Sequence, residues 1–171
     1  MAATRERPPW TGDERTQLLG WFDLQRGIVR LKCEGLSDAD AHRVLLPSSP
    51  LLTVAGIVGH LTAVEDLWFR EVLLGEWGDG PGLGPDAGED DEFRVAGRPL
   101  PALLEEYAAA CARSDAAIAA HDLDDTGSTA LHAVGGATLR WMVQHMLEET
   151  ARHAGHLDLL REMLDGETGY Y

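Results

Sequence analysis

The chain is short of several things, and each shortage narrows what it does. Cysteine occurs only twice, at Cys33 and Cys111. The two form no C-x-x-C pair, zinc ribbon or disulfide framework, so both read as buried thiols with no part in the chemistry. Positive charge is scarce: 14 basic residues face 29 acidic ones, a formal net charge of −15. A surface of that sign repels phosphate backbones and anionic lipid, which excludes general nucleic-acid binding and disfavours membranes. No apolar run approaches the roughly 20 residues of a membrane span. Residues 1–10 hold Arg5, Arg7, Pro8 and Pro9 but no hydrophobic stretch. They read as a flexible N-terminus rather than a secretory signal, and the expected location is cytoplasmic. Motifs are missing too. Without H-E-x-x-H there is no zincin protease, and without paired Glu-x-x-His there is no di-iron carboxylate bundle. No Walker A or G-x-G-x-x-G occurs, and Ser48 and Ser49 lack a nucleophile elbow.

What is present suits one ordinary domain spanning residues 1–171, with 44% hydrophobic and 25% charged residues. Of the 14 basic residues only Lys32 is lysine, and Ala, Gly and Asp are abundant, as in the product of a GC-rich genome. Apolar spacing at the helical period marks four long helices, and no alternating strand pattern competes. The first opens at Thr11, where Thr11-Gly-Asp-Glu14 reads as a capping box, and ends at Gly35. Residues 38–42 allow one short helical turn before Pro47 and Pro50. The second long helix runs from Thr53 to Leu74. The third starts at Pro99 and Pro101, which suit a first turn, and reaches about His121. The last runs from Thr138 to Asp165, stopped by Gly166. Gly155 inside it predicts close approach by a neighbouring helix. Residues 75–98, with Glu89-Asp-Asp-Glu92, read as a solvated acidic surface loop. The expected fold is all-α, a four-helix bundle with uneven connecting loops.

One stretch carries chemistry. With His145 set at zero on a helix, Glu149 falls at about 40°, His153 at about 80° and His156 at about 20°. Four groups able to bind protons or metal therefore share one stripe. Trp141, Met142 and Leu160 lie on the same side, so the stripe is expected to face the interior. Burying such groups without partners costs several kcal/mol each, so mutual hydrogen bonds or a metal ion must satisfy them. His60 sits on the apolar stripe of the second helix, midway along it, as Glu149 and His153 sit midway along the last. His60, Glu149 and His153 then offer two imidazole nitrogens and one carboxylate oxygen. Three protein ligands leave positions open for water or substrate.

The segment Leu52-Thr-Val-Ala-Gly-Ile-Val-Gly-His60 through Phe69 resembles the helix-two motif of the DinB-like (YfiT-like) superfamily. Glu149-Thr-Ala-Arg-His153-Ala-Gly-His156 resembles its last-helix motif. The commonest ligand set there is three His; Glu149 in the first last-helix position resembles the His/Glu/His set of the mycothiol-dependent maleylpyruvate isomerase branch. The resemblance implies a four-helix bundle, a divalent metal, most often zinc or nickel, and a homodimer. It further implies a thiol-dependent S-transferase or isomerase acting on a small electrophile. The GC-rich composition favours mycothiol as the thiol. A chain of 171 residues has no room for the extra C-terminal domain of some mycothiol-dependent isomerases, an expectation against maleylpyruvate isomerase itself. The expected chemistry is activation of a thiol or water by the bound cation. His145 and His156, one turn either side of the ligands, are candidates to orient a ligand or move a proton. Arg152 is a candidate to bind the cosubstrate, or else to pair with Glu148. Two other readings stand beside the enzyme: a non-catalytic metal-binding bundle, stress-linked or ligand-sequestering, and a structural dimer whose polar stripe is a hydrogen-bond network.

Overall fold

The computed structural model describes residues 7–169. The all-α expectation holds. The α-helices are α1 (Glu14–Cys33), α2 (Asp38–Ala41), α3 (Val54–Asp66), α4 (Leu100–Ala119) and α5 (Leu139–Asp165). Among the described residues the only β pairing is an isolated bridge between Thr126 and Thr138. No helix among them is long and apolar enough to cross a membrane. Residues 1–6 of the expected flexible N-terminus lie outside the described residues. The chain divides into two compact units, one made of the chain up to Val54 and from Val143 onward, the other of Ala55–Met142.

In the first unit, α1 begins two residues later than the Thr11 box implies. Asp13 is the N-cap, and its carboxylate accepts from the Thr16 amide at 2.7 Å. A carboxylate both satisfies an orphan amide and sits favourably at the positive end of the helix dipole, so it displaces the hydroxyl in that role. Phe22, Leu24, Ile28 and Val29 of α1 and Met146, Leu157 and Leu160 of α5 are fully buried or nearly so. The buried Arg161 of α5 donates to the carbonyls of Lys32 at 2.9 Å and Glu34 at 2.7 Å. It thereby serves acceptors that the end of α1 leaves open. Lys32, buried as well, pairs with Asp158 of α5 at 2.6 Å. Gly155 is exposed, and among the described residues nothing lies within 4 Å of where its Cβ would stand, so the predicted close helix approach is not found among them.

In the second unit, α3 is apolar on nearly every side and accordingly buried, with Ala55, Ile57, Val58 and Leu61 shut from solvent. It does not stay α-helical to Leu74. From Leu67 to Leu74 it becomes a π-helix. Six of those eight residues are large and apolar, so spacing holds no phase signal that would mark the change. The segment closes at Gly75, in the left-handed region at φ +73°. α4 starts after Pro99 with Pro101 in its first turn, as the sequence predicts. Leu103, Tyr107, Ala110 and Ile118 of α4 share the buried interior of this unit. Arg113 holds Asp66 with two hydrogen bonds, 2.9 and 2.6 Å. At the start of α5 the amides of Leu139 and Arg140 donate to the carbonyls of Asp125 and Leu123, at 2.8 and 2.9 Å.

Candidate metal centre

Helix α5 places Glu149 and His153 on successive turns of one face. His153 is 7% exposed, and its Nε2 lies 3.2 Å from the Glu149 carboxylate. One turn on, the Nδ1 atoms of His156 and His153 are 3.4 Å apart, with the rings edge to face. Three of the four groups on the predicted stripe are thus linked in a row through His153. The fourth, His145, is half-buried one turn before Glu149. Met142 and Leu160 are buried as expected, whereas Trp141 departs from expectation: it is 45% exposed and tilts against Trp68 at 5.3 Å between ring centres. Arg152 lies on the solvent side of α5 in an ion pair with Glu148. Such an exposed pair contributes little to stability.

His60 is 9% exposed on α3. Its Nδ1 lies 3.3 Å from the Glu92 carboxylate, and its ring stacks on Phe93 with centres 4.4 Å apart and planes 12° from parallel. Both partners come from the acidic loop, within a 3-10 turn at Asp91–Phe93. With Nδ1–H donating to the carboxylate, the imidazole's orientation is fixed and Nε2 carries the lone pair, the arrangement typical of metal-bound histidines. Sequence reasoning missed Glu92 and Phe93, because an acidic run reads as solvated. The one signal was the phenylalanine that ends the run.

A second carboxylate organises the loops. Glu71, on the π-helix and 1% exposed, accepts from the amides of Gly78 at 2.8 Å and Gly84 at 3.1 Å. Its other oxygen is 2.9 Å from His132 Nε2. His132 in turn meets the edge of Trp77. A carboxylate with both oxygens occupied tolerates burial, and one residue ties together segments from either side of α4 in sequence. Nothing in the spacing singles it out.

The two cysteines are buried and unbridged, as expected. Burial pushes the Cys33 thiol up to about 12, against a smaller opposing pull from Arg161. A thiol held in its protonated form is no nucleophile.

The sequence model of one family, Mycothiol-S-transferase, matches residues 17–166. The match bears out the resemblance to the DinB-like, mycothiol-related superfamily. No curated protein and no solved structure matches the chain.

Proposed function

The chain belongs to the mycothiol-S-transferase family, and from that premise we propose that it transfers a low-molecular-weight thiol, mycothiol, to a small electrophile at a divalent cation held by His60, Glu149 and His153. The observation that carries the reading is the donor set. His60 offers a buried imidazole on α3, and on α5 the imidazole of His153 lies 3.2 Å from the Glu149 carboxylate. Two imidazoles and one carboxylate suit zinc or nickel and leave positions open for an incoming sulfur. The surrounding shell fits as well. Glu92 backs the Nδ1 of His60, and His156 backs the Nδ1 of His153. With Nδ1 of each histidine so engaged, Nε2 is the atom that would ligate the cation.

A cation held by these residues would supply stabilisation of a thiolate, whose parent thiol has a free pKa of about 8.5. The chain's own residues do the rest. Phe93 walls one side of the His60 ring and excludes water from it. His156 fixes the rotation of His153 about its ring. His145, half-buried on the same helix, stands one turn from the ligands, where a proton acceptor serves the thiol. In the transfer a sulfur–carbon bond forms, the leaving group departs with its electron pair, and the thiol proton passes to a base. A cytoplasmic location and a homodimer belong to the same proposal.

The test is elemental analysis of the purified chain beside His153→Ala, followed by turnover of mycothiol with monobromobimane. The proposal expects about one equivalent of zinc or nickel, lost in the variant, and thiol-dependent turnover lost with it. Absence of metal after reloading at neutral pH overturns the site. Bound metal with no turnover of any thiol overturns the enzyme and leaves a metal-binding bundle.

A further inference from the structure

Within the second unit, a cavity of about 570 Å³ lies between the end of α3 with its π-helical continuation and the C-terminal half of α4. That volume is in the range of sites for small organic ligands. Its walls are largely apolar, from Phe69, Leu74, Ala117 and Ala120. It is not the face that carries His60. Glu65, which lines it, is five residues on from His60 and so about 140° round the helix.

Five charged residues line it, and they differ in what they have left to offer. Glu65 is 0% exposed, so its carboxylate is withheld from anything that enters. Asp66 is buried, and both of its oxygens accept from Arg113, at 2.9 and 2.6 Å. The two arginines are in the opposite condition. The side chains of Arg113 and Arg70 are 48% and 31% exposed. Among the described residues Arg113 donates only to Asp66, and Arg70 only to Asp79. A guanidinium carries more N–H donors than either pairing uses. The Asp79 side chain is 91% exposed, so its pair with Arg70 is weakly held and open to exchange. Of the lining carboxylates only Glu76 is exposed, and two accessible guanidinium groups oppose it. The cavity thus combines an apolar body with unspent donors of positive charge.

We infer that this cavity is a second ligand site, for a small organic carboxylate. The ligand's apolar body lies against Phe69 and Ala117, and its carboxylate accepts from the N–H groups that Arg113 and Arg70 leave unused. The ligand class is a carboxylic acid with an aromatic or aliphatic body. Guanidinium matches the planar carboxylate in shape, and a bond between two charged partners is about twice as strong as a neutral one. A neutral molecule of the same shape fills the walls equally well but gains no such bond.

The probe is 4-phenylbutanoate, titrated by calorimetry and ligand-observed NMR into the full chain, with 4-phenylbutan-1-ol as the neutral match. The carboxylate is expected to bind saturably, at least about tenfold more tightly than the alcohol. Arg70→Gln should weaken it several-fold while leaving the melting temperature unchanged, because the ion pair it removes is exposed. Ala117→Phe, which fills the cavity, should abolish binding. Ala120→Trp does the same from an exposed position, should the buried substitution unfold the chain. His153→Ala should leave carboxylate binding intact. The inference is overturned by carboxylate and alcohol binding equally, by no saturable binding at millimolar carboxylate, by unchanged affinity in Arg70→Gln, by full binding in a folded cavity-filling variant, or by loss of binding with His153→Ala, which would put the probe at the metal centre instead.

Discussion

Gly59 and Glu92 approach so closely that a Cβ on residue 59 would stand 2.6 Å from the Glu92 carbonyl oxygen. Val95 is as near on the same side. The neighbours of these two residues carry the consequence. His60 follows Gly59, Phe93 follows Glu92, and their rings stack. The acidic loop thus reaches a buried imidazole because one helical residue has no side chain, and Val95, 3% exposed, anchors the loop there.

Gly59→Ala is expected to lift the Glu92–Val95 backbone off α3. Overpacking of this kind costs about 1–3 kcal/mol. It also removes the carboxylate from His60 Nδ1, and loss of such an outer partner typically lowers metal affinity by about 10–100-fold. Glu92→Gln separates the two effects, since it keeps the loop and weakens only the hydrogen bond. Chelator competition and thermal melts on both variants give the answer. A Gly59→Ala protein with the parent's melting temperature and metal affinity would show that the close approach has no role.

Glu71→Ala removes the acceptor shared by Gly78, Gly84 and His132. Two amides and an imidazole then lose their partner in a half-buried place, where each unmade bond costs up to about 1–3 kcal/mol. A loss of a few kcal/mol is expected in denaturant melts, together with faster amide exchange at Gly78 and Gly84 than elsewhere. Glu71→Gln keeps a carbonyl acceptor and should lose less. Unchanged exchange at the two glycine amides in Glu71→Ala would mean that the loops are held by something other than this carboxylate.

The helices were legible in the sequence because each carries its own pattern. Pro99 and Pro101 announce α4, Gly166 closes α5, and the His/Glu stripe lies within one helix, where angles follow from spacing alone. Local order is what periodicity encodes. What stayed hidden depends on contacts between segments far apart in sequence. Glu92 is 32 residues from His60, and His132 is 61 from Glu71. Asp13 lost to Thr11 in the reading of α1 because the capping-box template credits the hydroxyl, while the carboxylate two residues on makes the stronger bond. The π-helix was hidden for a further reason. Its run of apolar residues is buried in either winding.

That cap gives a pH prediction. The Thr16 amide bonded to Asp13 holds its carboxyl below the usual 3.8. A depressed pKa means that the ionised form is favoured in the folded chain. The cap's contribution is therefore complete above the unfolded value of 3.8 and disappears as pH falls through the lower folded value. Asp13→Asn keeps a side-chain acceptor and loses the titration, so its melting temperature should fall less than the parent's on acidification below that value. Asp13→Ala should be less stable than the parent at neutral pH and converge with it in acid. Parallel melting curves for parent and Asp13→Asn across the acid range would remove the cap from the account.

Cys33 tests whether the proposed thiol chemistry belongs to a bound cosubstrate or to the chain's own side chains. A thiol pushed up to about 12 by burial is almost wholly protonated at pH 8. The thiolate, not the thiol, attacks a disulfide reagent, so reaction must wait for opening of the chain. Cys111 is buried too, 3.8 Å from the Glu65 carboxylate. Labelling by an aromatic disulfide reagent should therefore be slow for both in the native protein and prompt, at two equivalents, in denaturant. Raising the pH toward 10 should speed native labelling little, because opening rather than ionisation sets the rate. Rapid stoichiometric labelling of Cys33 in the folded chain would place a reactive thiol on the protein itself. The sulfur that reacts would then no longer have to be the cosubstrate's.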